Sequence, residues 1–254
     1  MNNLSLLLLT KNEQENLKEW GTWIHKLSTV NEIVVIDDES TDDTIKILKS
    51  LETKNLKVNI FKRKLDNNFS EQRNFGLSKC QNDWVFSLDA DEIPTEKTIN
   101  YINNLSLKNS QNYSFKRNIV YLNHPISHGQ CLDDKPIKIF NRNEGKFLKP
   151  VHEIWQSSSN TINTQQIILH YSIKNLAAFL QKINFYSSLR AQELFIQKHH
   201  PSLWEIIAYP KFKFLDLYIL KFGFLDGVPG IILSLSLSLN SFLIRAKLWH
   251  LSQK

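Results

Sequence analysis

The sequence predicts an α/β protein: a mostly parallel, twisted sheet flanked by helices on both faces, with a helical C-terminal extension. Three features predict it. Apolar runs of strand length alternate with helix-periodic segments through the first hundred residues, some runs are apolar without a break as in parallel strands covered on both faces, and the loops after the strands are acidic. A length of 254 residues supports one large core or a core with an appendage. With 42% hydrophobic and 22% charged residues, the chain is neither a disordered segment nor a polytopic membrane protein.

Leu4 to Leu9 reads as a buried strand entering a polar loop of Thr10, Lys11, Asn12 and Glu13. With no preceding positive region or cleavage site, this run is too short for a signal peptide. Leu17, Trp20, Ile24 and Leu27 fall on one face of a helix. Glu32 to Asp37 is the second strand, apolar from Ile33 to Ile36 and ending in acid. Ser40 or Thr41 is expected to cap the next helix, with Asp42 and Asp43 in its first turn and Ile45, Leu48 and Leu51 on its apolar face. Lys57 to Phe61 is a strand, Ser70 is expected to cap a helix, and Trp84 to Leu88 is the fourth strand, running into Asp89, Ala90, Asp91 and Glu92. After a helix near Thr95 to Leu105, strands are expected around Tyr113 to Tyr121, Ile137 to Phe140 and Ile167 to His170. Phe179, Ile183, Tyr186 and Leu194 mark a helix. A last helix carries Ser234, Ser238, Ser241 and Arg245 on one face and Ile231, Leu235, Leu239, Phe242 and Ala246 on another.

The net charge of +6 is uneven. Residues 1–134 hold 16 Lys+Arg against 19 Asp+Glu, and residues 135–254 hold 15 against 6. The acidic half suits a metal or polyphosphate site and the basic half an anionic surface. Only 7 glycines occur, and none builds a GxGxxG or P-loop run, so a bound phosphate would not be cradled by a glycine-rich loop. Cys80 and Cys131 have no metal-ligand spacing and read as free thiols of a reducing compartment.

Ligands of such sheets bind beyond the carboxyl ends of the strands, where these loops bring Asn12 and Glu13, Asp37 and Asp38, and Asp89 and Asp91 together. Like charges gathered at one edge call for a divalent cation or ligand hydrogen bonds. Asp89 and Asp91 form a DxD pair whose alternation along a strand would aim both at one ligand, and Mg²⁺ or Mn²⁺ prefers such oxygens.

LLTKNEQENL (Leu8 to Leu17), VVIDDESTDDT (Val34 to Thr44), QRNFGL (Gln72 to Leu77) and WVFSLDADE (Trp84 to Glu92) occur in order, and through them the chain resembles the family 2 glycosyltransferases, which have the GT-A fold. KPIKIFNR (Lys135 to Arg142), VHE (Val151 to Glu153), ILHYS (Ile168 to Ser172) and FGFLDGVPG (Phe222 to Gly230) look like the lipopolysaccharide inner-core subgroup of KdtX and WaaE type, a β-1,4-glucosyltransferase group. The resemblance implies that Thr10, Asn12 and Glu13 border the nucleotide and that Asp37 and Asp38 hold uracil and ribose. Arg73 would lie near the diphosphate, Asp89 and Ala90 would approach the ribose or donor sugar, and Asp89 and Asp91 would hold the metal. An inverting transfer needs a base; Glu153 is the first choice, with Asp133 and Asp134 as competitors. His170 could be a further metal ligand, and Arg142 and Lys149 could meet anionic acceptor groups.

The expected partners are a nucleotide-sugar donor, a glycan or glycolipid acceptor and an anionic inner-membrane surface, with self-association left open. Residues 1–172 would form the transferase domain, with 1–105 the donor half and 106–172 the acceptor half. Residues 173–254 would form the helical, membrane-associating region of a cytoplasmic enzyme. Lys211, Lys213, Lys221, Arg245 and Lys247 lie there among aromatics and leucines, as at a membrane interface. Val228 to Ile244, at 17 residues with four serines, is short for a span. A receiver domain is about half this length and has no place for the DxD strand. Nucleic-acid binding is disfavoured because the basic residues are dispersed. An inactive GT-A-like binding protein is the remaining alternative.

Overall fold

The computed structural model describes residues 3–150, 153–173 and 175–253. Val151 and His152 of the VHE motif lie outside the described residues. The first part runs β1 (Leu4–Thr10), α1 (Gln14–Leu17), α2 (Trp20–Trp23), β2 (Val30–Asp37), α3 (Thr44–Ser50), β3 (Lys57–Lys62), α4 (Phe69–Lys79), β4 (Trp84–Asp89), β5 (Glu92–Pro94) and α5 (Glu96–Asn103). It continues through β6 (Gln111–Tyr121), β7 (His124–Pro125), β8 (Ile137–Asn141), β9 (Gly145–Leu148), β10 (Ile154–Ser157) and β11 (Asn160–Ile173). Three helices close the chain: α6 (Leu176–Ile196), α7 (Leu203–Leu215) and α8 (Gly227–Ser252).

The chain forms two compact units, one of Lys135–His170 with the residues up to Arg117, the other of Asn118–Asp134 with the residues from Tyr171 onward. The main sheet has the order β3-β2-β1-β4-β8-β6-β11-β5. The strands from β3 to β4 are parallel, whereas β8 pairs antiparallel with both β4 and β6, and β11 pairs antiparallel with β5. The sheet is therefore mixed, with its first four strands parallel.

The unbroken apolar runs are explained by cover on both faces. Leu4, Leu6 and Leu8 of β1 join Ile33 and Val35 of β2 in one core with Leu17, Trp20 and Leu48. Leu7, Val34 and Ile36 point into a second core with Leu77, Val85 and Phe140. On this second face the glycine of the QRNFGL motif has a steric reason. A Cβ on Gly76 would stand 2.4 Å from Leu7 Cδ1 and 3.1 Å from Ile36 Cγ1, so any larger residue there would force the buried Leu7 side chain to shift. Gly76→Ala is expected to cost about 1–3 kcal/mol through overpacking, read as a lower urea midpoint with unchanged slope.

Some local expectations are corrected. The first predicted helix is broken into α1, α2 and a 3₁₀ turn over Ile24–Lys26, although Leu17, Trp20, Ile24 and Leu27 are all buried. Neither Ser40 nor Thr41 caps α3; that helix starts at Thr44, because the preceding residues are drawn into hydrogen bonds with the β1 loop. Asn68, and not Ser70, caps α4 by accepting from Glu71 N at 3.1 Å; Ser70 Oγ donates instead to the Lys149 carbonyl. Cys80 and Cys131 are free and buried, and burial pushes the Cys80 thiol up to about 12.

In the second unit, Lys247 Nζ reaches four oxygens of α6: the Asn184 carbonyl and side chain, Ser187 Oγ and Ser188 Oγ. Arg245 lies over the Tyr209 ring, 3.8 Å from its centroid. Asp226 accepts from the amides of Ser127 and His128 and contacts His128 Nδ1 at 2.9 Å, which ties the start of α8 to the 127–128 loop. Lys221 pairs with Asp133 at 2.8 Å and with Asp216 at 3.5 Å. The 30-residue stretch Gly223–Ser252, with a window of mean hydropathy 1.7, is long and apolar enough to cross a membrane by length and composition, unlike the shorter window considered from sequence.

Candidate active site

Strand register gathers the predicted residues. Thr10 is paired with Asp37, and Leu9 with Asp89, so β1, β2 and β4 end side by side with Thr10, Asp37 and Asp89 at one edge. Asp37 is fully buried; its carboxylate accepts from the Ser40 amide at 3.1 Å and from Thr10 Oγ1 at 3.3 Å. Asp38 accepts from the Leu65 amide and from Lys11 Nζ, each at 2.7 Å. Burial alone would raise the Asp38 carboxyl, but the hydrogen bonds from Lys11 and Leu65 outweigh it and hold the group below its ordinary range. Asn12, at φ 54°, donates its amide to Ser40 Oγ and accepts from the Thr41 amide, while the Glu13 amide donates to Thr44 Oγ1. The β1 and β2 loops are thus zipped together.

Arg73 of α4 is the hub of a second cluster. Its Nη2 donates to Asp89 Oδ1 at 2.6 Å, its Nε to Glu153 Oε1 at 2.7 Å and its Nη1 to Ser87 Oγ at 2.9 Å. The guanidinium also faces the Phe147 ring at 5.5 Å. Burial would lower the pKa of Arg73, but Asp89 first and then Glu153 drive it above its ordinary value. Burial would raise the Asp89 carboxyl; Arg73 and then Lys138 overcome that and hold it well below the usual range. The arginine predicted for the diphosphate is therefore already committed to two carboxylates.

A buried brace stands behind Asp89. Glu92, wholly buried, accepts from the Asp89 amide at 3.0 Å, from Lys138 Nζ and from Arg117 Nη1 at 3.4 Å. Lys138 Nζ is also 3.8 Å from Asp89 Oδ2. Trp20 Nε1 donates to the Ala90 carbonyl at 3.0 Å, fixing the turn between the two acids.

Asp91 has different company. β4 ends at Asp89, and Ala90 and Asp91 form a turn, so the alternation expected of a strand does not carry to Asp91. Its Oδ2 faces His170 Nε2 at 3.2 Å. The pairing of His170 with Glu92 across β11 and β5 sets that approach. Among the described residues His170 Nδ1 is buried with no hydrogen-bond partner, and Asp91 is a polar contact that orients the ring. A carboxylate oxygen and an imidazole nitrogen converging this way fit a divalent cation. Among the described residues no group of three His, Cys, Asp or Glu could hold a metal, so the protein would supply two ligands and leave the rest to diphosphate and water, as Mg²⁺-type sites do.

Asp133 and Asp134 belong to the second unit. Arg142 donates to the Leu77 carbonyl at 3.1 Å and stands 3.8 Å from Asp83, closing the end of α4. Lys149 is exposed at φ 72°. Sequence reasoning passed over Ser87, Glu92, Lys138 and Trp20. The one local signal among them was Lys138, a charge between Ile137 and Ile139 in an apolar strand.

The family model described as Glycosyl transferase family 2 matches residues 5–115, which carry β1, β2, β4, Arg73 and both acids of the DxD pair. Residues 5–115 resemble a family 2 glycosyl transferase domain. The chain carrying this domain is 28% identical over 268 residues to an uncharacterized glycosyltransferase of Rickettsia typhi, covering 100% of this chain and 89% of that protein. It is 24% identical over 252 residues to the lipopolysaccharide core biosynthesis glycosyltransferase LpsC of Rhizobium meliloti, covering 97% and 92%. Among solved structures, the mannosyltransferase PcManGT from Pyrobaculum calidifontis, in complex with GDP-Man and Mn²⁺, aligns with a TM-score of 0.52 at 13% identity, covering 97% of this chain and 84% of that one. The chain thus has the GT-A type of α/β fold.

Proposed function

We propose that the chain is an inverting glycosyltransferase that moves a sugar from a nucleotide-sugar, UDP-hexose by expectation, to a hydroxyl of a cell-envelope glycan. The likeness to LpsC supports lipopolysaccharide core as the acceptor class. On this reading residues 1–105 bind the donor, the acceptor contacts come from 106–172, and the enzyme works in the cytoplasm.

The observation that carries the reading is the matching of charges. Asp89, Glu92 and Glu153 each meet a fixed cation, from Arg73, Lys138 or Arg117, whereas among the described residues Asp91 is paired with a histidine and no Lys or Arg. Asp91 with His170 is therefore where a divalent cation and diphosphate add favourable charge. Such a cation, when bound, neutralises the departing nucleotide diphosphate. Asp37, Asp38 and the zipped loops present a rigid edge to the nucleoside. Glu153 has its Oε1 held by Arg73 while Oε2 makes no hydrogen bond among the described residues. That oxygen would take the proton from the attacking hydroxyl.

The test is hydrolysis of a panel of UDP-, GDP- and ADP-sugars with and without Mn²⁺. Glu153→Gln is expected to keep donor affinity and lower turnover by about 10² to 10⁴. Near-normal turnover would move the base to Asp133 or Asp134, and binding of donor without turnover by the parent protein would favour the inactive binding protein.

A further inference from the structure

The second unit carries an apolar surface with no cover. No described residue of α7 is buried, and from Leu203 to Val228 large apolar side chains stay exposed, with Trp204 at 79%, Leu220 at 71% and Phe212 at 69%. Soluble surfaces rarely keep contiguous apolar area of this kind without a partner.

Charge says which partner. The acids of this stretch are all engaged: Glu205 with His199, Asp216 with Lys221, and Asp226 with His128. Three of the five cations noted in the sequence are engaged too, since Lys221 is held by acids, Arg245 by Tyr209 and Ser241, and Lys247 by α6. Among the described residues Lys211 and Lys213 form no ion pair, and residues 171–254 hold 10 Lys+Arg against 4 Asp+Glu, so the segment that carries Trp204 and Phe212 is positive on balance. Aromatic and aliphatic groups flanked by free lysines fit the headgroup boundary of an anionic bilayer.

We infer that α7 and the turns after it, through Val228, dock this chain peripherally on an anionic phospholipid surface, with Trp204 and Phe212 entering the lipid and Lys211 and Lys213 meeting the headgroups. Helix α8 stays with the protein. Its Leu233, Ser234, Ser236 and Leu248 are buried, and crossing the bilayer would strip Lys247 of its four oxygen partners.

The full chain is tested by co-sedimentation with vesicles of phosphatidylglycerol and phosphatidylcholine in equal parts, and with phosphatidylcholine alone. Binding is expected to the anionic vesicles at low salt, with release as salt rises. Lys211→Gln with Lys213→Gln should weaken it by about fivefold for each lysine. Trp204→Ser with Phe212→Ser should weaken it about tenfold or more, and both pairs should keep the parent melting midpoint because these side chains are not buried. Failure of the parent to bind anionic vesicles overturns the inference. So does resistance to alkaline carbonate extraction, which would mean that α8 spans, or a dimer in light scattering abolished by the Trp204 and Phe212 substitutions, which would mean that a second copy covers the face. Vesicle binding needs no donor turnover, so its failure and failure of the transferase reading are separate results.

Discussion

Asp91→Asn is expected to lower donor turnover by about 10³ or more while leaving the melting midpoint within a few degrees of the parent. The size follows from what is lost. A neutral amide is a much poorer ligand for a hard cation than a carboxylate, and without a cation the diphosphate must approach a carboxylate-rich edge unscreened. The small effect on folding follows from the surroundings: Asp91 lies in a turn, partly exposed, beside the His170 imidazole. Chelation of the parent protein should reproduce the loss, and Mn²⁺ should restore the parent but not the variant. Full turnover of Asp91→Asn in chelator would remove the metal from the mechanism.

Arg73→Met should be the most destabilising single change at the site, by about 3–5 kcal/mol at neutral pH, because it strands the carboxylates of Asp89 and Glu153 in a largely buried cluster. Lys138, at 3.8 Å from Asp89 and already paired with Glu92, would compensate Asp89 only in part and leaves Glu153 unpaired. Arg73→Lys should recover only part of the loss, since an ammonium cannot reach Asp89, Glu153 and Ser87 with separate donors. The pH dependence has a definite sign. Asp89 has a depressed folded pKa, so its contribution is fully present above the ordinary carboxylate value of about 4 and is lost as pH falls below that toward the folded value. The urea-midpoint gap between the parent and Arg73→Met should therefore be widest above about pH 5 and should narrow in acid. A gap independent of pH would mean that Arg73 acts through packing against Phe147.

The elements that the sequence revealed most clearly are those whose burial is written locally. Leu6 to Leu9 and Ile33 to Ile36 are apolar at every position because both sheet faces are covered, and a run of that kind reads directly as a parallel strand. The acids after β2 and β4 were legible for the same reason: a strand end fixes where the following residues emerge. The caps were less legible because Ser40, Thr41 and Ser70 are good capping residues by type, yet distant partners claim their backbone or side chains.

The sequence by itself determined the α/β order, the strand-end acids and the family motifs, since each depends on residues close together in the chain. Only the tertiary structure decided how the charges pair. Arg73 meets Asp89 at a separation of 16 residues and Glu153 at 80, and Lys138 meets Glu92 at 46. No periodicity carries such pairings, because they are set by which strands become neighbours and by the side that each presents. The same holds at the C-terminus, where composition shows five cations among aromatics but only packing shows that Lys221 is held by acids, Arg245 by a ring and Lys247 by α6. Coulomb and desolvation energies depend on distances across the fold, so these roles appear only once the chain is folded.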